Sequence, residues 1–258
     1  MPKKKALKNR ARSAQRKKAR RDSRKATRQP KKFKTLRDKL LEIYTQASLE
    51  TTCCRQCVCC SVACPQMNYS EATQILDRVW SQWDHESKKR LLTTSIDYFF
   101  SNSMVKRCPL LGTAPDGNPG CLVYEDRPLN CRVYGQWPAE TYERRVSTFE
   151  KATGFDRSQL PLNTQCPHVR RVAVGDFDEE GVETMFAQLD ALDRRLGDFS
   201  DAQMEQRYNY RTIHDWVLAK FWGDEQLAFW TDVFHTMQKE EIETLVETLH
   251  QQTEQMSI

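Results

Sequence analysis

The sequence predicts a mainly α-helical fold: a helical domain around an irregular, loop-rich cysteine-cluster metal site, preceded by a disordered basic N-terminal tail. Three observations lead there. Apolar residues recur at helical spacing through much of the chain after residue 36. Of ten cysteines in 258 residues, six (Cys53, Cys54, Cys57, Cys59, Cys60 and Cys64) lie within twelve positions. The third observation is that basic charge is gathered at one end.

Residues 1–37 hold 18 Lys and Arg against a single acid, Asp22, so this segment carries about +17. The whole chain has 40 basic and 35 acidic residues, which leaves 22 and 34 for residues 38–258, a net −12. So few apolar residues stand in the first 37 that they have no core to bury, and a disordered or transiently helical segment is expected. A polycation of this kind points to RNA or a ribonucleoprotein as partner, through phosphate contacts rather than base reading, because aromatics are nearly absent from it. A solubilising tail with no dedicated partner is the alternative.

The elements follow in order. Leu36, Leu40, Ile43, Tyr44 and Ala47 predict a helix over 36–49. Ser70 is the expected N-cap of a second, with Ala72, Ile75, Leu76, Val79, Trp80 and Trp83 on one face. A third spans about 86–102 through Leu92, Ile96, Phe99 and Phe100. Ala139, Tyr142, Val146 and Phe149 suggest a fourth. Asp178 should cap a fifth, ended by Gly197, with Val182, Met185, Phe186, Leu189, Leu192 and Leu196 along its apolar face. Ile213, Trp216, Val217 and Phe221 form another, and after a break at Gly223-Asp224 a long final helix runs from Leu227 to Leu249. Residues 104–137 lack helical period and are rich in Pro and Gly, so they read as ordered loop with one short strand near Leu122–Tyr124. The expected organisation is a tail over 1–37, a cysteine-cluster domain over 38–175 and a helical C-terminal region over 176–258 that packs on it.

Four more cysteines, Cys108, Cys121, Cys131 and Cys166, stand singly beside Pro, Gly or Arg. A dense local run that cages a metal, closed by remote thiols, is how a protein builds a metal or iron–sulfur site. A disulfide framework is the competing reading. It suits small secreted domains without a core, whereas this chain is long enough to bury one, and MPKKKALKNR has no apolar stretch behind its charges to serve as a secretory leader. A reducing, cytoplasmic setting is therefore expected, and no segment approaches the length of a membrane span.

Cys54-x2-Cys57-x2-Cys60-x3-Cys64-Pro65 matches the bacterial ferredoxin run, which favours a 4Fe–4S cluster, with zinc as the alternative. Cys53-x3-Cys57-x2-Cys60 also spells the radical-SAM signature, but the strand-rich barrel which that reading needs has no counterpart in this pattern. Arg127 and Arg132 flank Cys131 and can offset the negative charge of a thiolate-bound cluster; pairing with Glu125 or Asp126 is the other role open to them. Among the histidines, only His168, after Cys166-Pro167, is placed to add a ligand.

The segments 54–60 (CRQCVCC), Cys108-Pro109-Leu110, 121–134 (CLVYEDRPLNCRVY) and Cys166-Pro167 together resemble the YkgJ-type cysteine-cluster family, whose opening motif is CxxCxxCC and which is assigned zinc or iron chelation. The resemblance covers about 53–168. It departs from the motif where the Cys59-Cys60 doublet comes one residue early. It implies eight metal-ligating thiols: Cys54, Cys57, Cys59, Cys60, Cys108, Cys121, Cys131 and Cys166. The family includes relatives of flagellin lysine N-methylase, so a cluster-dependent enzyme acting on protein or RNA is the alternative to a non-catalytic metal protein. The nine glycines never form G-x-G-x-x-G, and no βαβ pattern supports a conventional methyl-donor site.

Overall fold

Helical periodicity in the sequence becomes helix in the structure. The computed structural model describes residues 35–46, 51–52, 65–101, 108–113, 119–133, 143–144, 147, 151, 170–171 and 178–258. The chain divides into two compact units, Met1–Thr35 and Leu36–Ile258, and the elements all belong to the second. That unit is mainly α-helical.

Helix α1, Leu36–Tyr44, buries Leu40, Ile43 and Tyr44. It stops short of the expected residue 49, where the Thr45 hydroxyl donates back to the carbonyl of Glu42 at 2.9 Å. Strand β1, Thr51–Thr52, precedes β2, Gln66–Asn68, which runs directly into α2, Tyr69–Gln82. Asn68 is the N-cap here, not Ser70. The reason lies elsewhere in the chain: the amides of Tyr69 and Ser70 donate to the Asp193 carboxylate at 3.1 and 2.8 Å, and that of Asn68 donates to Glu71 at 3.1 Å. A carboxylate on another helix thus satisfies the first-turn donors that a local side chain was expected to take.

Asp84 caps α3, His85–Phe99, by accepting from the Ser87 amide at 2.7 Å. Strands β3, Leu111–Thr113, and β4, Pro119–Cys121, form an antiparallel pair with Leu111 opposite Cys121. Strand structure therefore lies just before the expected Leu122–Tyr124, which instead opens a 3₁₀ turn at Tyr124–Asp126. Gly112 faces Gly120 across this pair, and the side chain of Leu122 lies 2.9 Å from where a Cβ on Gly112 would stand. A Cβ there would require the Leu122 side chain to shift, so glycine lets Leu122 lie close over the ladder.

The short helix α4, Leu129–Val133, follows; it is too brief to leave a helical period in the sequence. Strand β5, Arg170–Arg171, pairs with β1. The helix expected around 139–149 falls almost wholly outside the described residues. Helix α5, Glu179–Leu196, is capped by Asp178, whose carboxylate accepts from the Gly181 amide at 2.7 Å, and ends at Gly197, both as the sequence predicts. A short α6, Asp201–Glu205, leads to β6, Tyr210–Thr212, the antiparallel partner of β2.

Helix α7, Ile213–Trp222, ends at Gly223, whose φ of +79° takes a conformation glycine adopts without strain. The expected long final helix is in fact two: α8, Asp224–Phe234, and α9, Lys239–Gln255. Thr236 closes the first with its hydroxyl on the carbonyl of Val233 at 2.7 Å, and the amide of Gln238 opens the second by donating to Glu241 at 2.8 Å.

Two apolar clusters hold the unit, and each draws on residues before and after position 176. The larger joins Met67, Ile75, Val79, Leu91 and Ile96 to Ile213, Trp216, Val217 and Leu218. The smaller packs Leu40, Ile43, Leu129 and Val133 against Val182, Met185, Leu189 and Leu192 of α5. Helix α9 is clasped to α3: Lys89 donates to the carbonyl of Glu254 at 2.7 Å, and His250 Nε2 lies 2.9 Å from Asp97 Oδ1.

Asp193 accepts from four donors at once, the Tyr69 and Ser70 amides and the side-chain amides of Asn68 and Asn209. Asp193→Ala removes that acceptor and leaves the buried Ser70 amide unsatisfied, at about 1–3 kcal/mol, while Tyr69 keeps only the Asn209 carbonyl and the Asn68 and Asn209 side-chain amides keep only Asp190, each losing a bond to a charged group. Urea unfolding should register a loss of about 3 kcal/mol or more, against well under about 1 kcal/mol for exposed Asp201→Ala, whose ion pair with Arg194 is at the surface.

Candidate metal centre

Three of the predicted thiols lie among the described residues, all on the segment from 108 to 133. Cys108 is buried, and its carbonyl accepts from the Leu111 amide at 3.1 Å. Cys121 stands opposite Leu111 in the β3–β4 pair, and the Leu122 amide closes back on the carbonyl of Leu110 at 2.9 Å. Backbone pairing therefore brings the chain beside Cys108 to the chain at Cys121, and both side chains border the larger apolar cluster. Cys131 belongs to α4, which the Cys131 amide starts by donating to the Pro128 carbonyl at 2.9 Å. Its neighbours Leu129 and Val133 face the smaller cluster.

What holds this segment in place is a set of buried polar contacts. Glu71, fully buried on α2, accepts from the Leu129 amide at 2.7 Å and from the Tyr44 hydroxyl at 2.5 Å through the same oxygen. Its other oxygen takes the Asn68 amide at 3.1 Å. Asp126, also buried, is the shared acceptor of Arg37 at 2.9 Å and of Arg78. Asn130 donates to the carbonyl of Gln66 at 2.8 Å and to the Tyr210 hydroxyl. Five residues after Cys121, then, the chain is tied to α1 and α2, and around Cys131 it is tied to α2, β2 and β6.

Electrostatics around Cys131 are set by burial. The Tyr44 hydroxyl is pushed well above its ordinary range, first by desolvation and then by the Glu71 charge, while the Arg132 guanidinium opposes the shift. Burial also raises Tyr210. Glu71 is raised by desolvation, and the hydrogen bonds from Tyr44, Leu129 and Asn68 hold it back. Desolvation lowers Arg132, which the neighbouring Tyr44, Glu71 and Cys131 counter. A cation, two phenols and a carboxylic acid therefore share the surroundings of one thiol.

The two arginines assigned to the cluster have well-defined positions. Arg127 donates from Nε to the carbonyl of Tyr124 at 3.0 Å, and its guanidinium lies 3.6 Å from the centre of that ring. Arg132 donates to the carbonyls of Arg127 and Glu125, each at 2.8 Å, and stacks over Tyr44 at 4.4 Å. Of the two carboxylates open to them in the sequence, Glu125 and Asp126, the latter is taken by Arg37 and Arg78.

Cys54, Cys57, Cys59, Cys60 and Cys166, with Cys53, Cys64 and His168, lie outside the described residues. Among the described residues, no three His, Cys, Asp or Glu side chains gather to hold a metal ion. Cys108, Cys121 and Cys131 are of the ligand type that soft metals and iron–sulfur clusters prefer, but the described residues do not gather the three into one site. His214 is buried in the core, stacked on Tyr98 at 3.8 Å with Nδ1 3.3 Å from the Ser95 hydroxyl, which agrees with a packing role.

Sequence reasoning missed the anchors. Glu71 carries a faint signal, Asn68-x-x-Glu71, the spacing of a capping box. Nothing local marks Asp126 or Tyr210. Comparison with protein-family models, with curated proteins and with solved structures returned no match.

Because burial raises Glu71 above its unfolded value of 4.5, the native state binds its proton more tightly than the unfolded chain does. The stability that this protonation contributes is complete below that unfolded value and is lost as pH rises through the native one. Urea unfolding of wild type and Glu71→Gln across this range should show the wild type gaining on the variant as pH falls. At neutral pH the variant should still be the less stable, by about 1–3 kcal/mol, because an amide nitrogen then meets the buried donors.

Proposed function

We propose that this chain is a cytoplasmic iron–sulfur or metal-binding protein of the YkgJ type, brought to RNA or a ribonucleoprotein by its basic segment. The observation that carries the reading is the cysteine pattern: six thiols in twelve residues, followed by single thiols, two of which, Cys121 and Cys131, flank a stretch tied to the body at Asp126 and Leu129. Thiols intended only for packing need no such density. The anchoring through Glu71, Asp126 and Asn130 supports the reading, because a metal site demands ligands presented from a rigid frame. The ligands would be Cys54, Cys57, Cys59, Cys60, Cys108, Cys121, Cys131 and Cys166, with Arg127 and Arg132 offsetting thiolate charge.

The ferredoxin spacing of Cys54, Cys57 and Cys60 favours a 4Fe–4S cluster over zinc. Eight thiols exceed the four that one such cluster or one zinc takes, which leaves a second site or a supporting role for the remainder. Among the described residues no helix is long and apolar enough to cross a membrane.

Protein purified without oxygen should be brown and contain near-stoichiometric iron and sulfide. A colourless protein carrying zinc would transfer the reading to zinc. Cys121→Ser combined with Cys131→Ser should lose metal and lower the melting temperature, because metal binding energy is partly folding energy; full metal retention would remove the remote thiols from the site. A change in the visible spectrum on adding S-adenosylmethionine would reveal an exchangeable position and favour the enzyme reading.

For the basic segment, deletion of residues 1–35 is the informative variant, since it spares Arg37, which serves Asp126. It should abolish most affinity for single-stranded RNA and leave metal content and melting temperature unchanged. The intact chain should bind with a logarithmic salt slope of about −0.7 per phosphate contacted. Salt-insensitive binding that survives the deletion would place the RNA site on the cysteine-rich body.

A further inference from the structure

Away from the cysteine segment, a cleft of about 790 Å³ opens between the turn after α5, the approach to β6 and the exposed face of α8. This volume lies within the range of about 300–1,000 Å³ usual for ligand sites. Its walls are aromatic. Tyr69, Phe99, Phe199 and Tyr208 line it, with Tyr69 and Phe199 edge to face at 5.3 Å and Tyr208 left 45% exposed at the rim.

Its charge is one-sided. Asp198, Asp215, Asp224, Glu225 and Asp232 line it against a single base, Arg211. Arg211 is already committed, paired with Asp224 at 2.6 Å and lying 4.9 Å from the centre of the Trp216 ring. Asp215 is occupied as well, accepting from the Thr212 hydroxyl at 2.7 Å. Asp198, Glu225 and Asp232 make no ion pair among the described residues, so three carboxylates remain for a ligand.

We propose that this cleft binds an extended basic peptide, taking its lysine or arginine side chains between the aromatic rings and the carboxylates. Aromatic faces attract ammonium and guanidinium groups and pack against their apolar stems, while the carboxylates supply the counter-charge. A small monocation would not use the arrangement. Glu225 and Asp232 are seven positions apart on α8, and a helix rises about 1.5 Å per residue, so their Cα atoms stand roughly 10 Å apart along its axis. An extended chain rises about 3.3 Å per residue, so basic side chains two to four positions apart, about 7–13 Å, bracket this distance. The net −12 of residues 38–258 adds long-range attraction for a cation and repels a nucleic acid. The inference stands independently of the metal reading.

Fluorescence anisotropy of a labelled peptide alternating lysine and glycine, titrated with the full-length protein at low salt, tests it. Wild type should bind saturably, and the triple variant Asp198→Asn, Glu225→Gln, Asp232→Asn should bind at least about tenfold more weakly. Its melting temperature should be unchanged, because these side chains are exposed and unpaired among the described residues. Tyr208→Ala should weaken binding severalfold and Tyr208→Phe should restore it. Undiminished affinity in the triple variant would overturn the site. Equal binding of a glutamine–glycine peptide would overturn the charge argument, and displacement by spermidine as effective as by an unlabelled lysine peptide of equal charge would overturn the peptide in favour of a free polyamine.

Discussion

A single buried carboxylate, Glu71, joins three parts of the chain that share no local sequence relationship. It takes the Tyr44 hydroxyl from α1, the Leu129 amide at the head of α4, and the Asn68 amide at its own helix start. A buried carboxyl carries a substantial desolvation penalty and is tolerated only when donors surround it. Here the donors are the ends of elements that must meet, so the need to satisfy Glu71 fixes where the cysteine-bearing segment docks. Asp193 repeats the device a few ångströms along the same helix start, and Asp126 repeats it with two arginines. Three acids, each inside a ring of donors, set the register between helices that apolar packing alone would leave free to slide.

The apolar clusters act with this polar frame. Helix α2 faces the larger cluster through Ile75 and Val79 while its first turn is held by Asp193 and Glu71. Asp193 itself projects from α5, whose Leu189 and Leu192 belong to the smaller cluster. One helix pair thus links the two apolar regions, and a change at Asp193 is felt in both.

How much of this was legible in the sequence depends on the reach of each signal. Helices α3, α5 and α7 were readable because their apolar faces repeat locally, and the Asp178 cap and Gly197 stop sit within a few residues of what they end. The start of α2 lies two residues before the expected Ser70 cap: Asn68 caps it, and the Tyr69 and Ser70 amides that follow are taken by Asp193, more than a hundred positions away. The final helix was misread because Leu227, Trp230 and Phe234 keep helical phase up to a break made only by Thr236 and Gln238. At the candidate centre, the thiols announce themselves by density, whereas Glu71, Asp126, Tyr44 and Tyr210 are ordinary residues until the fold assembles them.

The pairing of β2 with β6, and the bond from the Trp216 indole to the carbonyl of Met67 149 positions earlier, have a consequence for biosynthesis. Met67, Asn68 and Glu71 leave the ribosome early, but the frame around the start of α2 waits for Asp193, Asn209 and Tyr210 to be translated. At about 5–20 residues per second, the interval from residue 67 to residue 212 is roughly seven to thirty seconds. Throughout it the first-turn amides of α2 lack Asp193 and the Asn130 side chain lacks Tyr210, although Glu71, Arg78 and Asp126 are made earlier. Completion of this polar frame is therefore a late event, gated by translation of the C-terminal half.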